Sequence, residues 1–155
     1  MYYFSYASNM DHDQMLKERC PGAKFIGAAR LPAWWFVFDG FSTQWGGAVA
    51  NIVPSYTDEV WGGLYEISGT QLTILDSYEG YPRFYSRQEL MVEKKGEDIA
   101  PVKAWVYLRA PQPAGFPSKK YHAVLMKGAK DCRLPADYVQ SYLRVATPSP
   151  DKPSF

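Results

Sequence analysis

Between residues 24 and 67 the chain reads as strand and turn throughout. Residues 25–30, 34–38, 47–53 and 60–67 are short runs rich in β-branched or aromatic side chains, and Gly and Pro punctuate them. This commits the chain to a sheet. The opening Tyr2-Tyr3-Phe4-Ser5-Tyr6 adds an aromatic strand, and Ala7-Ser8-Asn9-Met10 follows as a turn. Residues 85–94 and 102–109 form a further hairpin across the polar Lys95-Gly96-Glu97-Asp98. In its second arm Val102, Ala104, Val106 and Leu108 share one face.

Helices fit only around this sheet. Asp11 with Gln14 has capping-box spacing and predicts a short helix to Cys20, ended by Pro21-Gly22. Ser68 with Gln71 predicts a second, with Leu72, Leu75 and Tyr78 as its apolar face, Gly80 as its stop and Pro82 just beyond. Two more are predicted over 120–132 and 135–144. The pattern is α+β: a small mixed, barrel-like sheet with short flanking helices.

A length of 155 residues suits one domain, assigned to residues 1–145. Pro148, Pro150 and Pro153 mark residues 146–155 as a disordered tail. The charge balance, 17 basic against 16 acidic residues, gives no footprint for nucleic acid or an anionic membrane. No stretch reads as a membrane span, and Asp11 and Asp13 argue against a secretory signal. Cys20 and Cys132 stand outside any CxxC or Cys/His cluster and read as reduced thiols of a cytoplasmic protein. No metal site is expected. The 12 Tyr, 8 Phe and 5 Trp read mostly as wide strand residues on a small core, although tyrosines can equally line a polar pocket.

Two places can carry chemistry. The turn from Tyr6 to Met10 joins a strand end to a helix start, where backbone N–H groups can face an anion and small residues admit a ligand. Glu79 sits in the last turn of the second predicted helix, where the dipole disfavours a carboxylate and flanking Tyr78 and Tyr81 can desolvate it. A raised pKa suits proton transfer. Asp76 lies one turn away on the same helix, which is the wrong geometry for two carboxylates flanking a glycoside. His12 and His122 lack an acidic orienter, and Lys119-Lys120 reads as a solvated pair.

Together these places resemble the γ-glutamylcyclotransferase family. Tyr6-Ala7-Ser8-Asn9-Met10 is similar to its Tyr-Gly-Ser-Asn-Leu/Met substrate loop, and Leu75-Asp76-Ser77-Tyr78-Glu79-Gly80 to the segment bearing its catalytic Glu. Asp58-Glu59-Val60-Trp61-Gly62, Lys119-Lys120-Tyr121, Met126-Lys127-Gly128-Ala129-Lys130, Leu134-Pro135 and Tyr138 extend the match over residues 2–144. Ala7 replaces the family's usual Gly, which raises the question of its φ. The resemblance implies a β-barrel with a cavity at one end. It also implies conversion of a γ-glutamyl amino acid to 5-oxoproline and a free amino acid, without a cofactor. Glu79 would act as general acid and base. Tyr6, Ala7, Ser8, Asn9, Met10, Tyr85 and Tyr121 would bind the small-molecule substrate, and a homodimer is compatible with the family. The alternatives are cyclotransfer on a γ-glutamylamine or a γ-glutamylated intermediate, and a non-catalytic binding barrel.

Overall fold

The computed structural model describes residues 1–96 and 100–146. The tail predicted around Pro148 to Pro153 lies outside them, as do Glu97 and Asp98 of the predicted turn. Five strands close into a barrel in the order β1-β3-β2-β4-β5. β1 (Tyr2–Ser5) runs antiparallel to β3 (Gly47–Glu66) and parallel to β5 (Val102–Leu108). β2 (Lys24–Ser42) pairs with β3 along its length and meets β4 (Ser86–Lys94) at Ala29 and Arg30. β4 and β5 form the predicted hairpin, in register from Ser86 opposite Leu108 to Val92 opposite Val102.

Four short strands were expected between residues 24 and 67, but two long ones form. Pro32 and Pro54 read as stops, yet the ladder passes through both. Pro32 sits opposite Glu59 and Trp34 opposite Pro54. The mismatch is absorbed by Ala33 at φ 70° on one strand and by residues 55–58 bulging from the other, with Tyr56 fully exposed. A bulge is where a sheet tolerates a residue with no N–H to donate.

Inside the barrel Phe4, Leu31, Ile52, Val60, Leu64, Val92 and Val106 are essentially buried. α1 (Gly69–Glu79) forms as predicted: the Ser68 hydroxyl accepts from Gln71 N–H at 3.1 Å and the Gln71 carboxamide accepts from Ser68 N–H at 2.9 Å. Gly80 closes it at φ 66°. Leu72 and Leu75 are buried, whereas Tyr78 is half exposed and carries the Arg19 guanidinium 4.4 Å above its ring.

The other predicted capping box does not form. Asp13–Arg19 is a π-helix, and the Gln14 carboxamide turns inward to donate to Ser8 Oγ at 2.8 Å and Asn9 Oδ1 at 2.9 Å. Those two oxygens are buried and need donors, a stronger demand than an accessible cap. α2 (Lys119–Asp131), capped by Ser118, and α3 (Ala136–Ala146) complete the fold. α2 lies so close to the turn after β1 that a Cβ on Gly128 would stand 2.6 Å from Met10 Cβ. Cys20 and Cys132 are free and buried. Among the described residues no helix is long and apolar enough to cross a membrane.

Candidate active site

A cavity of about 340 Å³ opens where the turn after β1 meets the end of α1. Tyr6, Ala7, Ser8, Asn9, Glu79, Tyr85 and Tyr121 all line it. Met10 does not: it is fully buried under α2 and belongs to the core.

The turn is built by local bonding. Ala7 has φ −134°, so the left-handed conformation that only Gly takes easily is not used and Ala fits without strain. Ser8–Met10 then winds one 3-10 turn, with Met10 N–H donating to Ala7 O and Asp11 N–H to Ser8 O, both at 3.0 Å. The opening N–H groups of such a turn, those of Ser8 and Asn9, have no acceptor within it. Ala7 N–H is already directed to Ser5 Oγ at 3.4 Å.

Asn9 links the turn to Glu79. Its Oδ1 accepts from Gln14 Nε2 at 2.9 Å and from Arg19 Nη1 at 3.1 Å. With the oxygen so held, Nδ2 must face the other way. There it donates to Glu79 Oε1 at 3.3 Å and Tyr3 Oη at 3.0 Å. Burial raises the Glu79 pKa to about 7, with Arg19 pulling weakly the other way. Of the two flanking rings, Tyr78 lines the cavity with Glu79 and Tyr81 does not. Tyr3, Tyr6, Tyr85, Tyr107 and Tyr121 line the cavity as well. Burial, with a contribution from the Glu79 charge, pushes each of their hydroxyls up, so they stay protonated.

Two of those tyrosines complete an open sheet edge. Ala50 lies on a stretch of β3 that β1 does not reach. Its carbonyl accepts from Tyr85 Oη at 2.7 Å and its N–H donates to Tyr121 Oη at 2.9 Å. Tyr121 accepts there, so its own proton remains available to another acceptor. Tyr6 Oη donates to Tyr107 O at 2.6 Å.

Asp76 is occupied elsewhere, bridged by Arg87 Nε at 2.9 Å and Nη2 at 3.2 Å and by Tyr107 Oη at 2.7 Å. His12 and His122 do not line the cavity, and Lys120 lies 5.3 Å from the Trp45 ring. Among the described residues no three His, Cys, Asp or Glu side chains gather as ligands would.

Tyr3 and Arg19 line the cavity and Gln14 holds Asn9 behind it, and the sequence marks none of the three as a site residue: Gln14 reads there only as a helix cap. Gln14 and Arg19 are five residues apart, the hydrogen-bond spacing of a π-helix, and the i, i+3, i+4 pattern of an amphipathic α-helix does not join them.

Residues 59–142 match the model of the AIG2-like family. γ-Glutamylcyclotransferases of Mus musculus and Homo sapiens are each 32 % identical over 153 residues, covering 95 % of this chain and 79 % of theirs. A solved γ-glutamyl cyclotransferase superposes with a TM-score of 0.87 at 28 % identity, over 99 % of this chain and 91 % of that one. Sequence, relatives and fold agree: the chain belongs to the γ-glutamylcyclotransferase family of AIG2-like proteins.

Proposed function

We propose that the protein converts a γ-glutamyl amide to 5-oxoproline and a free amine, with Glu79 as the general acid and base. One observation carries this: a carboxylate on the cavity wall with a pKa of about 7, aimed by an Asn9 amide whose orientation is itself fixed. A base near the working pH exchanges protons most effectively.

The chemistry is intramolecular. The glutamyl carboxylate meets the N–H groups of Ser8 and Asn9, and its α-ammonium faces Glu79. Glu79 takes one proton, and the freed amine attacks the γ-carbonyl carbon and closes a five-membered ring. The Tyr121 hydroxyl, with its proton unspent, is suited to the carbonyl oxygen as it gains charge. Glu79 hands its proton to the departing nitrogen, the old C–N bond breaks, and the ring nitrogen's remaining excess proton leaves with the amine as an ammonium. The fold's main contribution is to hold one rotamer of the glutamyl chain, which can supply on the order of 7 kcal/mol.

A non-catalytic binder has no use for a carboxylate kept in such a costly place. The test is direct: purified protein with γ-glutamyl-alanine should release 5-oxoproline, and E79Q should not.

A further inference from the structure

The mouth of the cavity is aromatic on two sides. The end of β2 supplies Phe41, 63 % exposed, and the turn into β3 supplies Trp45, whose ring packs 5.0 Å from that of Tyr121. The far side supplies Tyr78 and Phe84, 50 % and 41 % exposed. The backbone beneath Phe41 and Phe84 is fixed by hydrogen bonds, and cations lie against Phe84 and Tyr78. Phe41 follows Gly40, which turns the chain at φ 65° and donates to Pro113 O at 3.0 Å. Phe84 N–H donates to Gly80 O at 2.8 Å, and the Arg109 guanidinium lies 5.2 Å from its ring. Tyr78 lies against Arg19.

Formal charge is scarce here. Of the lining residues only Glu79 and Arg19 carry any, and Arg19 is bonded to Asn9 and stacked on Tyr78. The polar stretch Ser42-Thr43-Gln44 offers neutral groups only. A leaving amino acid can therefore hydrogen-bond its α-carboxylate at this turn, but a second carboxylate meets no uncommitted cation among the lining residues; the Lys120 ammonium, 5.3 Å from the Trp45 ring, and the Arg109 guanidinium lie outside the lining.

If the glutamyl part lies against Glu79 and the turn after β1, whatever follows the scissile amide must pass between these rings. Resting on the cyclotransferase reading above, we infer that the leaving amine carries an apolar, above all an aromatic, side chain held among Phe41, Trp45, Tyr78 and Phe84. Half-exposed rings gain most when another ring covers them. Binding energy from this remote part of the substrate is then available to the reaction.

The experiment measures kcat/KM for 5-oxoproline release from γ-glutamyl-phenylalanine, -leucine, -alanine, -glutamate and -lysine. Wild type, F41A, F41L and Y78A are compared, with folding checked by thermal melting. The phenylalanine compound should exceed the alanine compound by about tenfold or more, and the glutamate compound should fall below it. The phenylalanine-to-alanine ratio should drop several-fold in F41A and Y78A and be largely kept in F41L. Equal rates across the panel, a preference for glutamate or lysine, or an unchanged ratio in both alanine variants overturns the inference and leaves the cyclotransferase reading standing. Absence of 5-oxoproline from every compound overturns both.

Discussion

Glu79 is held where its charge works against the fold. Burial lifts its pKa from the ordinary 4.5 to about 7, so the folded protein holds that proton more tightly than the unfolded chain does. The stability this contributes is complete below pH 4.5 and is lost as the pH rises through 7. Above that, the ionised carboxylate disfavours the folded state by up to about 3 kcal/mol. E79Q keeps the shape and still accepts from Asn9, so it should be more stable than wild type at pH 8. Its advantage should shrink towards pH 5, as followed by urea unfolding, while kcat falls by ~10² to 10⁴. A variant less stable than wild type at pH 8 would contradict the buried position. The proposed mechanism ties the pH profile to the same pKa: if Glu79 is the base, the free enzyme must be deprotonated there to accept the substrate's proton, so kcat/KM should rise with pH and level off above about 7. A flat profile between pH 5.5 and 8 would remove Glu79 as the base.

At the scale of elements, α1 is tied to the barrel by a neighbour of Glu79. Asp76 takes both Arg87 contacts and the Tyr107 hydroxyl, and Arg87 is layered between the Tyr81 and Trp105 rings at 4.5 and 4.4 Å. D76N should lower stability by about 1 to 3 kcal/mol and leave kcat within a few-fold. A collapse of kcat matching that of E79Q would restore the paired-carboxylate mechanism. α1 was legible in the sequence because its signals are local: Ser68, Gln71 and Gly80 lie next to the ends they define. The π-helix was not, because Gln14 answers to buried oxygens of Ser8 and Asn9 and not to its own helix end. For the same reason the turn and Glu79 could be named from sequence, while Tyr3 and Arg19, whose roles depend on which side chain reaches Asn9, could not. Pro32 and Pro54 misled in the other direction, since a proline at a bulge bends a strand without ending it.

For the whole molecule, the strand-forming segments were readable, but how they join into long strands and in what order those strands pair was not. The closing contact joins Tyr2 and Tyr3 to Ala104 and Trp105, residues a hundred positions apart, and nothing local records it. That closure brings Tyr107 against Tyr6 and Tyr3, so one end of the barrel becomes the wall around Glu79. Such an enclosure suits a reaction that needs one conformer and a proton carrier. The claim that the substrate's own α-amine is the nucleophile is tested by comparing γ-glutamyl-alanine with its N-acetyl derivative, using the α-hydroxy analogue as the control for size. The account predicts 5-oxoproline from the free amine, no cleavage of the acetylated compound at any concentration, and at most a lactone from the hydroxy analogue. Cleavage of the acetylated compound, or release of glutamate in place of 5-oxoproline from the free amine, would contradict it.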